Sequence, residues 1–94
     1  MNIPNKITTW KKELERAFEE TGEGINQITT TLTKEELTES FDKNWGSVNG
    51  KPFTAWGPRY VYFPIKYDGY ESVGWAPRNP CNEPTNHWGG HTNE

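Results

Sequence analysis

Apolar residues recur along the first part of the chain with a period near 3.6. Trp10, Leu14, Ala17 and Phe18 fall at i, i+4, i+7 and i+8, with Lys and Glu between them, which predicts one amphipathic helix. Thr8 or Thr9 is placed to cap its start and Gly22 to stop it near Thr21. Glu19 and Glu20 sit in the last turn, where the helix dipole disfavours acids, so fraying is expected there. Glu23 to Leu32 reads two ways. Ile25, Ile28 and Leu32 are helically spaced, but Thr29, Thr30 and Thr31 are β-branched and favour extended chain. A second helix start is sharper. Thr33 and Glu36 form a capping box, with Leu32 and Leu37 as its hydrophobic staple. That helix is expected to carry Leu37 and Phe41 on its buried side, continue through Trp45 and end at Gly46.

The period then changes to two. Asp68-Gly69 is a type I′ hairpin signal, since Gly takes φ > 0 freely and Asp tolerates it. Pairing outward sets Tyr67 against Tyr70, Lys66 against Glu71 and Tyr62 against Trp75. Two aromatic rungs and one opposite-charge rung favour this register by about 0.2–1 kcal/mol each, and a one-residue slip loses all three. Val61, Phe63, Ile65 and Tyr67 share one face and are expected to form the core side. Tyr60, Tyr62, Pro64 and Lys66, with Val73 and Trp75, form an aromatic face with polar tips. Pro64 has no N–H to donate, so the strand is bulged there or lies at an edge. Asn49-Gly50 is a second type I′ signal that would fold Ser47–Val48 back on Lys51–Phe53. Gly57-Pro58 separates Phe53–Trp56 from the hairpin. After Pro77 the chain is rich in Pro, Gly and Asn and predicts irregular structure, with Trp88 as its anchor.

The expectation is a single α+β domain over 1–94. Two N-terminal helices (about 8–46) pack on a small antiparallel hairpin or meander (47–77), and an irregular C-terminal tail follows (78–94). The hydrophobic fraction is only 31%, but aromatic residues make up 14% and bury large areas each. A partner surface would complete so thin a core. No apolar run approaches a membrane span and no signal-peptide pattern opens the chain; with the single Cys81, a cytoplasmic setting is expected. The net charge of −3 is concentrated in the first half, so wholesale coating of duplex nucleic acid is not expected.

Candidate chemistry narrows quickly. Nucleophilic catalysis needs a nucleophile beside an oriented base. Cys81, His87 and His91 all lie in one flexible segment, so a non-enzymatic protein is expected. Cys81, His87 and His91, with Glu83, have a spacing that suits zinc in principle. His-x3-His normally works on a helix face, however, and Trp88-Gly89-Gly90 is not helical, so no metal or other cofactor is expected. The stronger candidate is the aromatic face: Trp56, Tyr60, Tyr62 and Trp75, with Arg59 and Arg78 at the strand ends. Such rings stack bases or sugars and Arg forks phosphate or carboxylate, although the same rings would serve as core if helices covered them. The helix acids (Glu13, Glu15, Glu19, Glu20 and Glu23; Glu35, Glu36, Glu39 and Asp42) would form either a docking surface for a basic groove or a solvated face.

With FTAW, VYFP, YDG and APRNP read as one hairpin unit, the chain resembles small early or accessory proteins of tailed bacteriophages. The resemblance is carried by KPFTAWGPRYVYFPIKYDGYESVGWAPRNP and by general style. It implies a protein that binds and neutralises a host factor, such as a defence or nucleic-acid enzyme. The alternatives are a nucleotide-binding or sequestering protein that uses the aromatic face with Arg59 and Arg78, and a small zinc module.

Overall fold

A computed structural model describes residues 7–43, 48–67 and 70–87. In order they form β1 (Ile7–Thr8), α1 (Trp10–Thr21), a 3-10 turn (Ile25–Gln27), β2 (Thr29–Thr30), α2 (Lys34–Thr38), β3 (Phe41–Asp42), β4 (Ala55–Trp56), β5 (Tyr60–Tyr67) and β6 (Tyr70–Pro77). The architecture is α+β. Among the described residues, only α1 is a substantial helix. A two-stranded sheet pairs β1 with β3, and an antiparallel four-stranded sheet runs β2-β4-β5-β6.

α1 forms where its stripe predicts. Thr9 caps it by accepting from the Lys12 amide, and Trp10, Leu14, Ala17 and Phe18 are all buried. Gly22 closes it in the left-handed region at φ 79°, its N–H donating to Phe18 O. The acids of the last turn do not leave that end bare. The Arg59 guanidinium arrives from the turn before β5 and donates to Thr21 O at 2.7 Å, supplying the cation that the helix itself lacks.

α2 carries both bonds of its capping box: Glu36 N to Thr33 Oγ1 at 3.1 Å, and Thr33 N to Glu36 Oε1 at 2.9 Å. It ends at Thr38 rather than running on, and this corrects the expected second helix. Phe41–Asp42 is a strand that pairs with Ile7–Thr8. Phe41 still reaches the core, stacking at a tilt on Trp10 with centroids 4.8 Å apart. A periodic apolar position was satisfied by a different element. Trp45 and Gly46 lie outside the described residues.

The hairpin register is as expected at every rung named: Tyr67 with Tyr70, Lys66 with Glu71, Tyr62 with Trp75. The Asp68-Gly69 turn itself lies outside the described residues. Pro64 causes no bulge. β4 pairs with β5 only at Val61 and Tyr62, so no strand is paired with β5 opposite Pro64 on that flank. Arg78 N donates to Arg59 O across the hairpin, and bond direction alternates along a strand, so the missing N–H of Pro64 falls on the flank without a strand partner.

The two sheet faces are the reverse of the expectation. Tyr62 is fully buried and Val73 nearly so, under α1, with Phe18 meeting the Tyr62 ring edge-on at 5.3 Å. Val61, Phe63 and Ile65 lie on the other face and are only half-buried. A tyrosine makes a good core residue when its hydroxyl finds a partner, and here it finds two. Asn49-Gly50 is likewise not a hairpin: Gly50 is outside the positive-φ region. It must be glycine for a different reason, since a Cβ would press into the buried ring of Trp10.

Candidate functional site

Three glutamates that read as surface charge or as a simple cross-strand rung are buried: Glu13, Glu23 and Glu71. Each holds a loop to the body. Glu71 accepts from the amides of Asn49 and Gly50 at 2.7 and 2.9 Å. Glu13 accepts from the Thr8 hydroxyl at 2.6 Å and from Lys43 at 3.3 Å, joining the start of α1 to the end of β3. Glu23 does the most. Its carboxylate accepts from the Tyr62 hydroxyl at 2.6 Å and from Arg59 N at 2.7 Å, and the Tyr62 oxygen also lies 2.9 Å from Thr21 Oγ1. The contact is so close that a Cβ on Gly57 would run into the Glu23 carboxylate. Burial, followed by the hydrogen bond to Glu23, pushes the Tyr62 phenol well above its ordinary value of 10 and keeps it a proton donor. This network staples the end of α1 to the turn between β4 and β5. Its Thr21, Glu23 and Tyr62 side chains are buried, so the role of the network is structural.

The six residues read as a binding face are therefore divided by the fold. Tyr62 belongs to the core. Trp56 pairs with Val61 and lies on the opposite sheet face. Arg59, Tyr60, Trp75 and Arg78 gather at one end of the sheet, beside the tail. Arg59 lies 5.4 Å over the Tyr60 ring, and Arg78 Nη1 donates to Gly57 O at 2.9 Å. Tyr60 donates its hydroxyl to the Glu83 carboxylate at 2.9 Å, which ties the tail to β5. That bond raises the Tyr60 phenol above its usual value, with burial adding to it.

The tail so held walls two adjoining hollows. One, about 380 Å³, is lined by Trp75, Pro77, Glu20 of α1 and residues 83–86. The other, about 220 Å³, is lined by Arg59, Tyr60, Pro77, Cys81 and Glu83 among others. The first presents an indole beside two carboxylates, an environment that suits a cationic or amphipathic side chain. Arg59 and Arg78 each spend donors on backbone carbonyls, and with Glu20 and Glu83 nearby they do not make an open anion fork.

Cys81 and His87 are exposed, and the Cys81 sulfur accepts from Glu83 N at 3.4 Å. No group of three metal-binding side chains occurs among the described residues; His91 and Trp88 lie outside them. No helix is long and apolar enough to cross a membrane, again among the described residues. No family model matches the chain, and neither a curated protein nor a solved structure matches it.

Proposed function

We propose that this is a non-enzymatic binding protein that acts by protein–protein contact, in the manner of a phage inhibitor of a host defence or nucleic-acid enzyme. The reading is carried by the double hollow at the tail end of the sheet. There Trp75 and Tyr60 stay partly accessible, and a proline-rich tail is fastened alongside by the Tyr60–Glu83 bond. Trp, Tyr and Arg are the residues in which binding energy concentrates. With Glu20 and Glu83 on its rim, the larger hollow fits a partner loop carrying a basic side chain whose stem lies on the indole. The resemblance to phage accessory proteins supplies the host protein as the class of partner.

A nucleotide ligand has less support, because the two carboxylates repel phosphate and both arginines are engaged with the backbone. Affinity capture from bacterial lysate with the immobilised full chain tests the proposal. The expected result is one stoichiometric protein, retained by wild type and released by Tyr60→Ala. Recovery of a small ultraviolet-absorbing molecule on denaturation, with no captured protein, would favour the nucleotide reading instead.

A further inference from the structure

We propose that Asn49 is a latent deamidation site, held shut by Glu71 in the native protein and irreversible once it has reacted. Asn49-Gly50 is the only Asn-Gly pair in the sequence. In such a pair the main-chain nitrogen of the glycine attacks the asparagine Cγ, because the glycine has no side chain to shield it. A new N–C bond closes a succinimide ring, the Cγ–Nδ2 bond breaks, and the side-chain nitrogen leaves as ammonia. Water then opens the ring at either carbonyl, leaving aspartate or isoaspartate. The only co-reactant is water.

The fold exposes one reacting group and ties down the other. Asn49 is exposed to solvent. Gly50, which supplies the attacking nitrogen, is buried, and its N–H donates to Glu71 Oε1 at 2.9 Å. To attack, that nitrogen must give up its proton, and the buried carboxylate beside it opposes the negative charge that results. Asn49 N donates to the other oxygen, Glu71 Oε2, at 2.7 Å, and Asn49 Nδ2 donates to Asp42 O at 3.0 Å. These bonds hold the main chain before the reacting carbon and the amide beyond it, which limits the freedom of both to reach attack geometry. Glu71 is itself fixed, its N–H donating to Lys43 O at 2.8 Å. Reaction therefore requires the loop to leave Glu71, a local opening rather than global unfolding.

The product cannot take the loop's old seat. Aspartate at this position has no Nδ2–H for Asp42 O and sets a carboxylate against that carbonyl, beside Glu71. Isoaspartate adds a methylene to the main chain just before Gly50, whose seat against Trp10 and the Glu71 carboxylate lacks space even for a Cβ. The neighbouring Lys51 O accepts from the buried Trp10 indole N–H at 3.0 Å, so displacement of the loop reaches the core. Opening of this loop is thus recorded in the chain as a one-way loss of native packing.

Peptide mapping by mass spectrometry, with detection of isoaspartate, tests this on the full chain incubated at mildly alkaline pH in native buffer and in urea. Deamidation at Asn49 is expected to be at least about tenfold slower in native buffer, since it proceeds only through local opening. Glu71→Gln removes the charge and turns an amide NH2 toward the loop N–H groups, and should raise the native rate severalfold. Gly57→Ala, strained before the far end of the hairpin, controls for general destabilisation and should leave the native rate near that of wild type. Chains deamidated in urea should not regain the wild-type melting curve when urea is removed, whereas unmodified chains do. Should Glu71→Gln fail to fold, amide hydrogen exchange of the wild type decides: the Gly50 N–H must be protected, and its exchange and the deamidation rate must rise together as urea is added. Equal rates in native buffer and urea overturn the proposal, as does a native rate unchanged by Glu71→Gln or raised equally by Gly57→Ala. So does an unprotected Gly50 N–H, or normal refolding of the deamidated chain.

Discussion

Removing a single oxygen, in Tyr62→Phe, tests the staple between helix and sheet. The ring stays, so its packing on Phe18 is kept. What is lost is the 2.6 Å bond to Glu23 and the 2.9 Å contact with Thr21 Oγ1, both buried. Glu23 keeps Arg59 N as a donor, so the carboxylate is weakened in its support rather than stranded. A buried hydrogen bond to a charged group is worth about 1.5–3 kcal/mol. Taking about 2 kcal/mol, and about 4–8 °C per kcal/mol for a chain of this size, the melting temperature should fall by about 8–16 °C. Circular dichroism on heating reads this directly. A double-mutant cycle with Glu23→Gln should show coupling of about 1 kcal/mol or more between the two sites. The same bond sets an alkaline dependence. The folded phenol is held above the ordinary 10, so its stabilisation is complete below pH 10 and is lost as pH rises beyond that toward the folded value. Ultraviolet titration should therefore show one tyrosine that ionises only when the protein unfolds. A loss below about 0.5 kcal/mol, the scale of a neutral surface change, would refute the staple, as would normal ionisation of Tyr62 in the folded protein.

Gly57→Ala should destabilise by about 1–3 kcal/mol, because the added methyl enters the space of the Glu23 carboxylate; chemical denaturation of the variant measures it. Thr33→Ala should cost about 0.5–2 kcal/mol through loss of the 3.1 Å bond from Glu36 N, and an unchanged melting temperature would contradict the cap.

Local signals carried most of what was legible in the sequence. The α1 stripe, the Thr33–Glu36 box and the hairpin register each depend on residues close in the chain, and each appears in the fold. What was not legible depended on distant partners. α2 stops at Thr38 because Phe41 and Asp42 are taken by β1, more than thirty positions earlier, a pairing that local periodicity does not encode. The face of the sheet that is buried was set by Glu23 and Thr21, which give the Tyr62 hydroxyl a place in the core; without them the aliphatic face is the better choice. Glu13, Glu23 and Glu71 read as charge because burial of a carboxylate shows only once its donors are known. The trace they leave is in the glycines: Gly50 beside Trp10 and the Glu71 carboxylate, Gly57 beside Glu23. Of the six candidate binding residues, four do meet at the tail end, while Tyr62 is covered by α1 and Trp56 is placed on the other face by its pairing with Val61.

The central claim is that a protein partner is bound at the tail-end hollow beside Trp75, and a binding titration with paired charge reversals tests it most directly. Glu20 lines that hollow, whereas Glu15 is exposed on α1 and does not line it. Glu20→Lys and Glu15→Lys therefore change net charge equally at sites of different consequence. Calorimetry with the captured partner should show at least a tenfold loss of affinity for Glu20→Lys, near-wild-type affinity for Glu15→Lys, and unchanged melting for both. Equal affinity for wild type and Glu20→Lys, or an equal loss in both variants, would contradict the account.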